Sequence, residues 1–284
     1  MPQSSRRSFL SSAGAIGAAA FVPAGLANAA AKGDTPGALK LGVATYSFRE
    51  FQRHLAIADT KKLGVDYVSI KEFHLPINAT TEETAKGRAE FEKAGLTILS
   101  GGNVSFQKDD ENDIRMKFEY AKAAGMGVIV CAPTHETLPK MEKYVKEYNI
   151  KIAVHNHGPE DHHFPTPESV LSAVKNMDPR CGLCMDVGHS ARTGVDVVES
   201  IAQAGPRLLD MHIKDLKDFT DRNSQVPVGD GKMPIPAMFR QLQKMNYQGG
   251  IMLEYEVEAD NPMPGMMKSF SYMRGVLAGL NFKA

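Results

Sequence analysis

The strongest constraint on this chain is a rhythm: a short β-branched or apolar run followed by a longer helical stretch, eight times over. The runs read as strands at 41–48, 65–71, 96–99, 128–131, 150–155, 182–186, 208–215 and 250–254. Helical stretches follow at 54–62, 80–94, 110–124, 136–148, 167–176, 195–204, 236–244 and 263–280. Strands that alternate with helices pair in parallel through right-handed crossovers. An open doubly wound sheet has the same alternation, but the glycine-rich first turn of a dinucleotide-binding fold is missing. Eight units between Ala30 and Ala284 fit a closed (β/α)8 TIM barrel, typically about 250 residues long. No element is left over, and no repeat or second domain is evident.

The segment before this rhythm reads as an address. Ser5-Arg6-Arg7-Ser8-Phe9-Leu10 is a twin-arginine pattern, a mild apolar stretch runs from Ala13 to Val22, and Ala27-Asn28-Ala29 suits cleavage. Residues 1–29 are therefore expected to be a signal peptide, 30–38 a linker and 39–284 the barrel, exported to the periplasm or otherwise out of the cytoplasm. The competing reading is an ordinary N-terminal helix. Basic and acidic residues balance at 33 each, with no Lys/Arg stripe. That argues against a nucleic-acid partner, whose affinity would rest on neutralising phosphates. No later apolar run would span a membrane, so no membrane anchor is expected. The sequence leaves oligomeric state open, and a homo-oligomer is compatible with it. Cys181-Gly182-Leu183-Cys184 matches C-x-x-C, but on a strand the two thiols point to opposite faces and no second pair completes a zinc site.

Barrel chemistry collects at the C-terminal ends of strands and in the loops just after them. His74, His135, His155, His157, His162, His163, His189 and His212 all fall there, and only His54 lies in a helix. Asp186 ends the sixth strand and Glu254 the eighth. In the seventh, period-two alternation sets Leu209, Met211 and Ile213 against the helical ring and turns Asp210, His212 and Lys214 inward. Asp210, one inward step below His212, is expected to hydrogen-bond beneath the site. One Asp, one Glu and one or two His on neighbouring strands make an oxygen/nitrogen site for a divalent cation: Mn, Co, Zn or Mg. For each residue alone, a satisfied polar side chain at a barrel mouth competes with this reading.

Met185-Asp186-Val187-Gly188-His189, His212-Ile213-Lys214-Asp215 and Leu253-Glu254-Tyr255-Glu256, in this order on strands six, seven and eight, resemble the xylose-isomerase-like barrel superfamily. Its members include sugar phosphate isomerases/epimerases, inosose dehydratases, ketose 3-epimerases and metal-dependent AP endonucleases. The resemblance implies Asp186 and Glu254 as carboxylate ligands, His212 as imidazole ligand and His189 as a further ligand or substrate contact. One departure stands out. The ketose 3-epimerases carry a glutamate at the end of strand five, where this chain has Val154-His155-Asn156-His157, similar to the dehydratase and keto-sugar lyase branches. His155 or His157 then takes a ligand or base role.

A divalent cation chelating a carbonyl and its neighbouring hydroxyl stabilises an enediolate, and a base near neutral pH removes the α-proton. The expectation is thus a divalent-metal-dependent sugar isomerase/epimerase-like enzyme acting on a neutral, small-molecule carbohydrate or keto-sugar. Its alternatives are a lyase or dehydratase using the same site, and a non-catalytic carbohydrate-binding barrel; a nuclease fits the charge balance and export poorly. Catalytic roles are expected of His155, His157, Lys214 and Glu254, and metal ligation of Asp186, His212, Glu254 and His155. Substrate contacts are expected of Lys71, His74, His189, Asp230 (in Val226-Pro227-Val228-Gly229-Asp230-Gly231, similar to the family's GxG turn) and Glu256. His162-His163 suggests a lid, against the plainer reading of a solvated loop.

Overall fold

The computed structural model describes residues 39–281; the expected leader (1–29) and linker (30–38) lie outside them. Eight parallel strands close into one barrel: β1 (Lys40–Ala44), β2 (Tyr67–Ile70), β3 (Thr97–Phe106), β4 (Val128–Pro133), β5 (Lys151–His155), β6 (Cys181–Asp186), β7 (Leu208–Ile213) and, after a two-stranded hairpin of β8 (Asp215–Leu216) and β9 (Gln225–Val226), β10 (Gly250–Leu253). Around the barrel the order is β1-β10-β7-β6-β5-β4-β3-β2. The helices are α1 (Arg53–Lys62), α2 (Thr81–Lys93), α3 (Glu111–Ala124), α4 (Thr137–Tyr148), α5 (Pro167–Val174), α6 (Val187–Arg192), α7 (Val197–Ala204), α8 (Ile235–Lys244) and α9 (Met263–Asn281).

Local chemistry sets several boundaries. Thr80 caps α2 in a reciprocal box with Glu83, satisfying two otherwise orphaned N–H groups. Gly125 ends α3 in the left-handed conformation at φ 72°, which costs glycine nothing. The first strand stops at Ala44 instead of Phe48, because Thr45–Phe48 forms a 3-10 turn. There Thr45 Oγ1 accepts from Lys71 N, and Ser47 Oγ donates to Leu253 O, so hydroxyls replace the ladder bonds. The eight-unit reading omitted α6 and the β8–β9 hairpin, both inserted where the C-terminal mouth is built.

Two cores result. Leu183, Met185, Met211, Ile213, Ile251 and Leu253 belong to the large core beneath the helices, where Phe239 and Leu242 of α8 are fully buried. Each such side chain contributes about 1.5–3 kcal/mol by leaving water. Inside the barrel Val130, Ala153 and Cys184 form a small separate cluster. Cys181 faces the outer core and Cys184 the inner one, as a strand requires, and both are free thiols. Leu209 departs from its expected place. The register passes from Leu183↔Leu208 to Cys184↔Asp210, leaving Leu209 as the extra residue of a bulge. It packs on the inner cluster instead of the helical ring.

Candidate metal centre

Register places the inward-facing residues in layers. Cys184 lies opposite Asp210 and Asp186 opposite His212, while Asp210 and His212 pair with Gly250 and Met252 on β10. His155 ends β5 beside Cys184, and Glu254 follows β10 directly. The upper layer thus brings together His155, Asp186, His212 and Glu254, each offering a ligand atom within 4.8 Å of all the others. His155 Nε2 lies 3.0 Å from His212 Nδ1 and 3.7 Å from Asp186 Oδ2, and His212 Nδ1 is 3.3 Å from Glu254 Oε2. Such separations suit neighbouring ligands around an ion held at about 2.0–2.2 Å. Asp186 Oδ2 is buried without a hydrogen-bond partner, although the Lys214 ammonium stands 2.9 Å away. Two imidazoles and two carboxylates converging in this way fit a divalent cation.

Lys214 dominates the electrostatics. Its Nζ lies 2.9 Å from both Asp186 Oδ2 and Glu254 Oε2 and also contacts Glu256 Oε1. Burial works against the ammonium, but the three carboxylates hold its pKa well above the ordinary lysine value. Burial likewise works against ionised Asp186 and Glu254. Lys214 holds Asp186 below the usual carboxylate range; His212, seconded by Lys214, holds Glu254 well below it. Burial would depress His212, yet the charge of Glu254 raises it. At His155 desolvation, reinforced by the surrounding imidazoles, outweighs the raising charge of Glu254, lowers the ring well below its ordinary value and leaves it neutral. The Cys184 thiol, close to both imidazoles, is pushed well above its ordinary value by burial and then by Asp210, Asp186 and Glu254.

Further residues line the mouth. The His157 ring lies 4.2 Å from that of His155, with Nδ1 3.3 Å from Asp161 Oδ2 and Nε2 2.8 Å from Asn103 Nδ2. Asp161 also accepts from His163 N and Phe164 N, which fixes the loop after β5 around that carboxylate. His189, 5.7 Å from His157 between ring centres, is lowered by burial. Lys71 reaches Asn103 O at 3.4 Å from the opposite side of the mouth. His162 is exposed, and His163 sits edge-on to His135 at 5.5 Å.

Two expected substrate contacts are not brought here. His74 is 1% exposed, and its Nε2 lies 3.1 and 3.0 Å from Phe48 O and Phe51 O, so the ring ties the loop after β2 to the chain after β1. Asp230 is exposed and pairs with Lys268 of α9. The neighbouring Asp215 holds that turn instead, accepting from Gly229 N, Gly231 N and Met233 N. Asp210 is inward and buried as expected and hydrogen-bonds within the core, its Oδ1 accepting from Met211 N at 2.9 Å; it makes no bond to His212, and Asp210 Oδ2 and His212 Nε2 both lack partners.

Several supports escaped sequence reasoning. Asn156 Oδ1 accepts from Asp186 N, Asn156 Nδ2 donates to Ser190 Oγ at 3.0 Å, and Ser190 Oγ donates to Asp186 O. Asp186 itself caps α6 by accepting from His189 N. Asn156, lodged between the two histidines of its motif, was the one legible signal.

The family model for the xylose isomerase-like TIM barrel matches residues 57–276. Inosose dehydratase of Mesomycoplasma hyopneumoniae is 28% identical over 162 residues, which cover 50% of this chain and 53% of that protein. The chain thus spans about half the length of the curated relatives it matches. Among solved structures, 3-keto-D-glucoside 4-epimerase YcjR of E. coli superposes with a TM-score of 0.70 at 16% identity, covering 84% of this chain and 100% of YcjR. The IolI protein with a bound zinc atom gives 0.69 at 19% identity, covering 87% and 100%. At these identities the likeness concerns the fold.

Proposed function

This chain belongs to the xylose isomerase-like TIM barrel family, and on that footing we propose that it is a divalent-metal-dependent enzyme removing an α-proton from a small carbohydrate or keto-sugar. The observation that carries the reading is the convergence of His155, Asp186, His212 and Glu254 within 4.8 Å. Those four would hold the cation, which when bound polarises a carbonyl and its adjacent hydroxyl.

The remaining steps fall to side chains around it. His157 is the base: Asp161 engages Nδ1, which turns Nε2 toward the mouth, where Asn103 orients it. The His155 ring lies tilted against that of His157 at 4.2 Å and, being neutral, brings no positive charge to that side of the mouth. Lys214 donates to the oxyanion that develops as the proton leaves, a role suited to a permanently charged, immobilised donor. Return of the proton to another carbon or face completes isomerisation or epimerisation.

A second outcome shares every step up to the enediolate: loss of a β-substituent gives dehydration or elimination. His155 in place of a strand-five glutamate favours it, as does the similarity to an inosose dehydratase. Export through the twin-arginine route is part of the proposal and rests on Arg6-Arg7 and Ala27-Asn28-Ala29; among the described residues no helix is long and apolar enough to cross a membrane. The test of the reaction is NMR of keto-sugars in D2O with Mn, Co, Zn or Mg added. Metal-dependent deuterium entry beside the carbonyl is expected, and the product separates isomerase from lyase. Protein that binds no divalent cation, or sugar binding unchanged in Asp186→Ala, would leave only a carbohydrate-binding barrel.

A further inference from the structure

Beside the ligand cluster a cavity of about 210 Å³ opens over Lys214 and Glu256, walled by His189 and Arg192 from α6 and by Arg222 from the β8–β9 turn. We infer that this cavity takes the carboxylate end of its substrate, which makes the substrate an acidic sugar or keto-sugar acid. The inference rests on the metal-dependent reading above and replaces the neutral carbohydrate expected from the sequence.

Charge pairing carries the argument. Arg192 is paired with Glu160, and its side chain is 9% exposed. Lys214 is shared among Asp186, Glu254 and Glu256. Once a divalent cation answers the charges of Asp186 and Glu254, Lys214 is left with Glu256, while Arg192 and Arg222 are left with the single charge of Glu160, which only Arg192 contacts directly. Arg222 forms no hydrogen bond or ion pair among the described residues. One negative charge is therefore missing from the loaded site. A hydrogen-bonding position is missing as well, since Arg192 Nε is buried without a partner while Nη1 and Nη2 face His189 and Glu160. The two guanidiniums approach from α6 and from the β8–β9 turn; Arg222 offers the open planar fork that matches a carboxylate, and Arg192, engaged by His189 and Glu160, adds its positive charge beside it. A singly charged group satisfies the one open cation, whereas a phosphate dianion would bring a second charge with no counterpart.

The experiment is calorimetry on the full chain loaded with Mn(II), using D-galacturonate against D-galactose and D-glucuronate against D-glucose, with glucose 6-phosphate as a third arm. The acid is expected to bind about tenfold or more tighter than its neutral partner. That preference should shrink as salt rises, because Arg222 is exposed. Arg222→Gln should abolish most of the preference while sparing bound metal and melting temperature, and Arg222→Lys should restore part of it. Acids binding no better than neutral sugars, including the case where neither binds, would overturn the inference. So would tighter binding of the phosphate, or an Arg222→Gln variant that weakens both sugar classes equally. Deuterium entering a neutral keto-sugar without any acid preference sinks this inference alone. Arg222-dependent acid binding with no exchange in any sugar sustains it and sinks the proposed reaction.

Discussion

At their C-terminal ends β5, β6 and β7 present His155, Asp186 and His212, with Glu254 just past β10; at the N-terminal ends of β4, β5, β7 and β10 opens a cavity of about 710 Å³. The lower cavity is the larger by far, and its walls include Leu99, Val128, Leu209, Met245 and Tyr247. Two aspartates make the contrast sharper. Asp186 and Asp210 are 0% and 1% exposed on the inner face of adjacent strands, one layer apart. Asp186 has Lys214 at 2.9 Å and is held ionised; Asp210 has no cation in contact, and burial pushes its carboxyl up to about 6. Depth is common to both. What separates a ligand from a buried acid is the positive charge beside it, supplied by an ammonium or a metal.

The harshest way to break this comparison is Asp186→Ala, or treatment with a chelator. Either should reduce bound metal to near zero and solvent exchange by about 10³-fold, the several kcal/mol a Lewis acid supplies. Asp210→Ala should keep its metal; loss of metal there would erase the distinction between the layers. Next in size is Lys214→Met, which leaves Asp186 without its ammonium and Glu254 with His212 alone. Urea unfolding of metal-free protein should show a loss of about 3–5 kcal/mol, and saturation with a divalent cation should recover much of it. Asp210→Asn tests the lower layer more gently. With no hydrogen bond to His212 to lose, its exchange rate should fall by less than the 10–100-fold typical of residues that hold a metal ligand.

The smallest effect concerns His74, a histidine buried outside the mouth with a structural task. Burial lowers its pKa, so protons bind the unfolded chain more readily than the folded one. Its stabilising contribution is whole above the unfolded value of about 6.5 and lost as pH falls below it toward the folded value. His74→Gln should cost about 1 kcal/mol at pH 8 through a weakened hydrogen bond to Phe48 and Phe51. That deficit should narrow on acidification, with metal content and activity per folded molecule unchanged.

The period-two pattern of Asp210-Met211-His212-Ile213 carried both the barrel and the inward placement of its polar residues, because a strand has only two faces. It failed at Leu209, where a bulge adds a residue that local pattern cannot announce. The four ligand candidates were legible because His155 and Asp186 close strands, Glu254 directly follows one and His212 is the last inward-facing residue of β7. His74 shared that position and misled, since its distance from the barrel axis depends on which carbonyls the loop leaves unsatisfied. Arg192, Arg222 and Asp161 were invisible for the complementary reason. They sit in a short helix and loops, and only the folded chain reveals which charges lack partners.

Gln225 holds a further consequence. Its amide donates from Nε2 to Glu254 O and accepts at Oε1 from Glu256 N, clasping both sides of Tyr255. The turn carrying Arg222 is thereby bolted to the strand end carrying Glu254, and one side chain acts as the ruler between them. The turn can vary in length between Leu216 and Gln225 without altering that ruler. A change at residue 225 itself, far from any reacting atom, would shift the scale on which a substrate of given length is measured.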